Sequence, residues 1–242
     1  MNSLEPVYSL LRRRIEAAAT AAGKSDGVRL LAAGKGQPAR SIRALAALGQ
    51  RAFGENYVQE ALAKQDELAG LEIEWHFIGP LQSNKCRDVA RRFDWLQSLD
   101  RPKLVEALSR FRPPDRAPLN VLVEVNIDDE AGKSGCAPER VPTLAGRIAA
   151  APGLRLRGVM AIPKPAADPA RRRASFRRVH EIFIALGRSH PGVDTLSLGM
   201  SDDFELAIAE GATMVRIGSA LFGERKKLPN PGVGPFRGNA SS

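Results

Sequence analysis

The chain has 242 residues, a formal net charge of +9, 43% hydrophobic residues and 5% aromatic residues. This length suffices for one large domain, because single-domain α/β barrels reach it. The apolar runs are far too short to span a bilayer, and the first basic residues follow the first apolar ones, the reverse of a secretory signal, so we expect a cytoplasmic protein with no membrane segment.

The positive charge does not predict specific nucleic-acid binding. Arginines cluster at 12–14, 171–173 and 177–178, but the few aromatic residues are not interleaved with them, as a base-stacking platform would require. We interpret the clusters as solvated helix faces. The three histidines are scattered and the two cysteines are not in CxxC spacing, so we predict no metal site.

Short apolar runs alternate with segments of helical periodicity along the chain. An amphipathic helix is predicted over residues 3–22, ahead of the first run. Eight strands are predicted at residues 29–33, 50–54, 73–78, 95–98, 120–127, 154–162, 195–198 and 213–217. Helical stretches follow them: one after Pro38, then 57–68, 84–92, 101–110, 138–150, 169–186 and 202–209, with a short turn through Leu221.

Eight strand–helix units predict a (β/α)8 barrel with an additional N-terminal helix. The alternative is an open doubly wound sheet, which would carry a GxGxxG turn after its first strand, and the segment GKGQ at 34–37 does not supply one. We expect a single barrel domain over residues 1–225. Residues 226–242 are rich in Pro, Gly, Asn and Ser and predict a flexible C-terminal tail.

Lys35 stands at the carboxyl end of the first predicted strand, which is the active face of such a barrel. A desolvated lysine is a nucleophile for carbonyl groups, so this position indicates Schiff-base chemistry. The alternative is a lysine that reaches solvent or pairs with a carboxylate such as Glu55. Position alone does not decide between the two.

The loops after strands seven and eight predict a phosphate site. Gly199-Met200-Ser201 and Gly218-Ser219 each offer backbone N–H groups, a hydroxyl and a glycine that lets a ligand approach, and barrels often bind phosphate at this pair of loops. The alternative for Ser201 and Asp202 is ordinary helix capping. A phosphate ester whose carbonyl is held by a lysine suggests pyridoxal phosphate.

Arg216 lies between two apolar residues on strand eight and is expected to point into the barrel mouth or to be buried. A guanidinium can only donate hydrogen bonds, so beside a pyridine nitrogen it would leave that nitrogen unprotonated and the ring a poor electron sink. The alternative is a salt bridge inside the barrel, to Glu124 or Glu205.

Five segments resemble the YggS/PROSC family of pyridoxal phosphate homeostasis proteins. They are FGENYVQE (53–60), WHFIGPLQSNK (75–85), KSG (133–135), RGVMAI (157–162) and LSLGMSDDFELAIAEGATMVRIGSALFG (196–223). The resemblance implies a barrel similar to the N-terminal domain of alanine racemase, with pyridoxal 5'-phosphate held as a Schiff base on Lys35.

The resemblance also implies roles for other residues. It assigns the phosphate to Ser201, Gly218, Ser219 and the backbone of Met200, the pyridine nitrogen to Arg216, the ring hydroxyl to Asn56, and the pocket lining to His76 and Met160. Members of this family usually have a serine just before the lysine and a threonine or similar residue after it. Here Gly34 and Gly36 occupy those positions, and the loss of both side chains puts the tightness of binding in question.

The family resemblance favours a cofactor carrier without an established reaction, whose partners include apo-forms of pyridoxal-dependent enzymes. The alternative is an amino-acid racemase, which needs acid/base groups on both faces of the substrate. Racemases take the second base, a tyrosine, from a further domain that we do not expect here, and Tyr8 and Tyr57 are not placed to replace it. A third possibility is a barrel with a vestigial site that acts through protein partners. We expect a monomer.

Overall fold

The computed structural model describes residues 4–24, 26–164 and 168–223. Within them the chain forms a closed barrel of eight parallel strands in sequence order, and β8 closes it by pairing with β1. The strands are β1 Arg29–Ala33, β2 Ala52–Glu55, β3 Glu74–Phe77, β4 Trp95–Leu99, β5 Leu119–Val125, β6 Leu154–Ala161, β7 Thr195–Ser197 and β8 Met214–Ile217. The predicted (β/α)8 barrel is confirmed.

Helices surround the barrel and follow its strands. They are α1 Leu4–Ala21, α2 Ala39–Ala47, α3 Val58–Glu67, α4 Cys86–Arg92, α5 Pro102–Phe111, α6 Val141–Ala150, α7 Pro169–Ser189, α8 Phe204–Ala209 and α9 Ser219–Phe222, with 3-10 turns at Ser83–Lys85 and Pro138–Arg140. The additional helix α1 is confirmed. It packs against α8 and α9 and buries Tyr8, Leu11, Ile15 and Ala19, which share one helical face.

Two layers of buried side chains flank the strands, because successive side chains of a strand point to opposite faces. Val215 and Ile217 on β8 join the apolar shell between strands and helices. Met214 and Arg216 alternate with them and face the barrel interior, where Met214 packs on Leu31. The polar residues at inward positions of the strands are therefore collected inside the barrel and below its mouth.

The arginines of α7 are largely matched by acidic groups. Glu210 lies 3.2 Å from Arg173 and 2.8 Å from Arg177, and Asp128 lies 3.9 Å from Arg178. No helix in the described part of the chain combines the length and apolar character needed to cross a bilayer. The predicted tail, 226–242, lies outside the described residues.

Candidate active site at the barrel mouth

A cavity of about 320 Å³ opens at the carboxyl ends of the strands. This is within the size range of small-molecule sites, which begins at about 300 Å³. Most of the predicted site residues line it, namely Lys35, Asn56, Met200, Ser201, Arg216, Gly218 and Ser219. The strand order brings them together from loops that are up to 184 residues apart (219 − 35) in the chain.

Lys35 is half-buried in the loop after β1, and its amine faces an aromatic ring. Its Nζ lies 5.1 Å from the centre of the Tyr57 ring, which is a cation–π distance. No ion pair of Lys35 is found within the described ranges. The amine therefore remains available to a ligand in the cavity.

Glu55 is not the partner of Lys35, because it pairs with a different lysine. Nζ of Lys64, on α3, lies 2.7 Å from Oε1 of Glu55, and both side chains are buried. Burial raises the pKa of Glu55 to about 7, and the neighbouring Lys64 limits that rise. The alternative interpretation of Lys35 as an ion-pair partner of Glu55 is wrong.

The loop that carries Lys35 is held on both sides by the same cluster. Nζ of Lys64 donates to the carbonyl of Gly34 at 2.8 Å and to Oε1 of Glu60 at 2.6 Å. That oxygen of Glu60 also accepts the backbone N–H of Gly36 at 2.7 Å. The residues beside Lys35 are thus fixed through their backbones, without any side chain of their own.

Arg216 reaches from β8 into the floor of the cavity. Its Nη1 donates to the carbonyl and the hydroxyl of Ser197, both at 2.8 Å, and its Nη2 donates to the carbonyl of Ala161 at 2.9 Å. Burial lowers its pKa to about 10, against the attraction of Glu124 and Asp203. The guanidinium is therefore still charged at neutral pH.

The expected alternative, a salt bridge from Arg216 to Glu124 or Glu205, is not found among the described residues. Glu205 pairs with Arg14 of α1 at 2.5 Å. Glu124 is buried on β5, and its Oε2 has no hydrogen-bond partner there. Burial and the nearby charge of Asp100 raise the pKa of Glu124 to about 7.

The loops after β7 and β8 lie side by side at the cavity. The hydroxyl oxygen of Ser201 accepts the N–H of Ala220, in the first turn of α9, at 3.2 Å. The predicted helix start at 202 is wrong, because α8 begins only at Phe204, and the alternative role of Ser201 and Asp202 as its caps is not found in the part of the chain that the structure describes. Asp203 instead folds back, and its Oδ1 accepts the N–H of Met200 at 2.7 Å.

The structure does not place His76 and Met160 among the described residues that line this cavity. Both are fully buried deeper in the barrel. The His76 ring stacks on Trp95, with ring centres 5.1 Å apart, and Met160 packs against Trp95 and Leu122. Strand alternation sets the face that a side chain takes, while its depth depends on the register of the whole barrel.

Sequence reasoning missed several apolar and polar residues of the lining. Ile78 and Ile162 stand directly after β3 and β6, and Gln37 stands two residues after Lys35. The signal that could have found them is their position just beyond a strand's carboxyl end. Ala33, Asp202 and Gly223 complete the lining.

Comparison with known proteins shows the family to which this chain belongs. Residues 8–226 match the family model described as "Alanine racemase, N-terminal domain". The pyridoxal phosphate homeostasis protein of Pseudomonas aeruginosa is 52% identical over 226 residues, covering 93% of this chain and 97% of that protein. The chain belongs to the family of pyridoxal phosphate homeostasis proteins.

Other members of the family are similarly close over their whole length. The pyridoxal phosphate homeostasis protein of Escherichia coli K12 is 48% identical over 229 residues, covering 93% of this chain and 98% of that protein. PipY of Synechococcus elongatus, whose structure was solved with PLP bound, superposes with a TM-score of 0.80 at 34% identity, covering 91% of this chain and all of PipY. The family expected from the five sequence segments is confirmed.

The groups around the cavity match the chemistry of pyridoxal 5'-phosphate. Lys35 supplies an amine, Arg216 a cation that only donates hydrogen bonds, and Ser201 and Ser219 supply hydroxyls. Gly218 also lines the cavity and carries no side chain that could occupy it. The cavity therefore holds an amine, a cation and hydroxyls, which are groups that fit this molecule.

Proposed function

We propose that this protein binds pyridoxal 5'-phosphate in the cavity, holds its aldehyde as a Schiff base on Lys35, and serves intracellular cofactor homeostasis rather than catalysis. The observation that carries the proposal is that Lys35, Arg216 and two serine hydroxyls line one cavity. The PLP-bound structure of PipY supports the identity of the cofactor, and the names of the curated relatives support the role.

The phosphate is proposed to bind between the loops after β7 and β8. Ser201 and Ser219 would donate their hydroxyls, while Gly218 and Met200 would contribute backbone N–H groups. The bond from Ala220 to Ser201 supports this assignment, because the two loops are joined at the point where the phosphate would lie. Hydrogen bonds to a charged acceptor are stronger than neutral ones, so this end would contribute much of the affinity.

Arg216 is proposed to donate to the pyridine nitrogen, and Asn56 to lie near the ring hydroxyl. Three backbone and hydroxyl acceptors already hold the guanidinium of Arg216, which limits its freedom to turn away. The bound group would supply an electron-withdrawing ring, but a ring nitrogen that only accepts a hydrogen bond withdraws electrons weakly. This supports storage of the cofactor over carbanion chemistry.

The positions of the tyrosines support a carrier over a racemase. Tyr57 touches the amine of Lys35 with its ring and so would approach a bound substrate from the lysine side. Tyr8 is buried in α1, where its hydroxyl lies 3.4 Å from Oε1 of Gln50. Neither is placed to supply the second base, on the face of the substrate opposite Lys35, that racemisation requires.

Absorbance spectroscopy tests the binding proposal. Purified protein incubated with pyridoxal 5'-phosphate should show an absorption band at the edge of the visible, and Lys35→Ala should abolish it. Lys103→Ala, at an exposed lysine on α5, is the matched control and should retain the band. A wild-type protein that stays colourless would overturn the proposal.

Two further assays separate a carrier from an enzyme. A carrier should leave the optical rotation of an alanine solution unchanged for hours, whereas sustained loss of rotation would establish a racemase. When loaded with the cofactor, it should also restore the activity of an apo-form of a pyridoxal-dependent enzyme, the partner class that we propose.

We further propose that the protein is a cytoplasmic monomer. Size-exclusion chromatography tests the oligomeric state, and cell fractionation tests the location.

A further inference from the structure

A continuous line of hydrogen bonds runs through the barrel interior, away from the cavity. It begins at Arg216, whose Nη1 lies 2.8 Å from Oγ of Ser197. Oγ of Ser197 lies 2.7 Å from Oε1 of Gln97. Nε2 of Gln97 lies 2.9 Å from Nδ1 of His76, and Nε2 of His76 lies 2.6 Å from Oε1 of Glu74. The five residues come from β8, β7, β4 and β3.

Arg216 fixes the direction of the first bond, and the orientation of the Gln97 amide sets the next two. Arg216 has no acceptor, so the oxygen of Ser197 must accept, and the Ser197 proton is free to go to Gln97. Oε1 of Gln97 accepts the hydrogen bond from the Ser197 hydroxyl, and the amide nitrogen of Gln97 therefore faces His76. One N–H of that nitrogen points to Nδ1 of His76 and the other to Sδ of Met214, at 3.2 Å.

The other end of the line requires the same direction. Since Nδ1 of His76 accepts, the ring proton is on Nε2 and is donated to Glu74. Burial raises the pKa of Glu74, but the hydrogen bond from His76 and the charge and hydrogen bond of Arg29 together lower it below its usual value. Glu74 is therefore a carboxylate that only accepts. A donor-only group and an acceptor-only group thus terminate the line, and with a neutral His76 ring one proton arrangement satisfies every link.

Burial makes this arrangement hard to replace. His76, Gln97 and Ser197 are buried inside the barrel, so a broken link leaves a polar atom without water to take its place. Burial also lowers the pKa of His76 and keeps its ring neutral. A second ring proton, on Nδ1, would face the N–H of Gln97, and two donors cannot form a hydrogen bond with each other.

We propose that His76, Gln97 and Ser197 are positioning residues that fix the plane of the Arg216 guanidinium at the floor of the cavity. The proposal rests on the proposed function, because the group that Arg216 is oriented to meet is the pyridine nitrogen of the cofactor. His76 then belongs to the site without touching the ligand. It acts through two intermediate side chains, which explains why it lies below the cavity instead of in its lining.

The proton positions are tested first, in the cofactor-free protein. Nitrogen-15 spectra of the three histidine rings should show His76 as a single tautomer with its proton on Nε2. In Gln97→Glu an oxygen replaces the N–H that faces Nδ1, so His76 should carry protons on both ring nitrogens. A wild-type proton on Nδ1 would overturn the line.

The positioning role is tested by a double-mutant cycle on the dissociation constant of pyridoxal 5'-phosphate. Gln97→Leu keeps the volume and removes the link, and it should raise that constant about tenfold in the wild-type background. In an Arg216→Lys background the same change should alter it less than about twofold, because the group being positioned is gone. Equal effects in both backgrounds, or no effect in either, would contradict the role.

A matched control and an independent readout keep the outcomes distinct. Gln65→Leu removes another buried glutamine, one that binds Arg92 at 3.1 Å outside the barrel interior, and should leave the dissociation constant unchanged. A wild-type protein that does not bind the cofactor overturns the proposed function and, with it, the positioning role. The spectra of cofactor-free protein still decide, in that case, whether the line exists.

Discussion

Gly34 and Glu55 lie so close together that a Cβ on residue 34 would be 2.6 Å from Oε1 of Glu55. That oxygen is held by Nζ of Lys64 at 2.7 Å, so it cannot move aside without disturbing a buried ion pair. The carboxylate of Glu55, on the neighbouring strand β2, thus occupies the space that a side chain on residue 34 would need.

Gly34→Ser is expected to destabilise the protein by about 1–3 kcal/mol, the usual cost of adding atoms to a filled interior. The added Cβ would displace Oε1 of Glu55 and weaken its bond to Lys64. Urea denaturation measures the change. Gly146→Ala, in open space on α6, is the control and should be neutral or stabilising by up to about 1 kcal/mol. A serine variant as stable as wild type would contradict the steric account.

Lys64→Met is expected to cost about 3–5 kcal/mol, because it leaves the buried carboxylate of Glu55 without its partner. The loss should shrink when the pH falls below the Glu55 pKa of about 7, where that group is neutral. Denaturation at two pH values checks both statements. Arg12→Ala breaks an exposed pair with Glu16 instead and should cost at most about 1 kcal/mol.

The buried Glu124 is expected to make stability fall as the pH rises from 4.5 to about 7. Its pKa is raised from 4.5 to about 7 by burial and by Asp100, so in that window the folded protein binds more protons than the unfolded chain. The free energy of unfolding then decreases with pH and levels off above 7. Glu55 acts in the same direction.

Glu124→Gln should therefore flatten part of this slope, to which Glu55 contributes in the same direction and the lowered pKa of His76 in the opposite one. Thermal denaturation across the pH range measures it. Glu106→Gln, at an exposed carboxylate on α5, is the matched control and should keep the wild-type profile. An unchanged slope in Glu124→Gln would show that the carboxyl group does not titrate in this window.

Ser219→Ala is expected to raise the dissociation constant of pyridoxal 5'-phosphate about tenfold or more, since a hydrogen bond to a charged group contributes about 1.5–3 kcal/mol. Ser201→Ala should have a larger effect, because its oxygen also accepts the N–H of Ala220 and holds the two loops together. Titration followed by absorbance measures both. Ser9→Ala, at an exposed position on α1, should bind as wild type does.

Strand periodicity accounts for the parts of the site that sequence reasoning located. Alternation along β8 placed Arg216 on the inward face, and the end of an apolar run placed Lys35 at the mouth. These predictions depend only on residues near each other in the chain, where backbone geometry couples neighbours directly. The start of α8 was misplaced because Asp203 bonds back to Met200, a local competition that composition does not show.

The partners of buried polar groups could not be obtained in this way. Nothing in the segment around His76 indicates that its ring contacts a glutamine 21 residues later. Ser197 and Gln97 are 100 residues apart, and their bond exists only because two inward positions reach the same depth of a closed barrel. Register and closure depend on all eight strands at once.

By itself, the sequence determined the barrel, the face on which a ligand binds, and the lysine, arginine and serines that line the cavity, since periodicity and turn residues encode these locally. The tertiary structure decided how they are held. Closure of the barrel assigned Lys64 to the loop of Lys35 and linked Arg216 to Glu74. A buried polar group needs a hydrogen-bond partner, and in a closed barrel that partner can lie far away in the sequence, so only the tertiary structure identifies it.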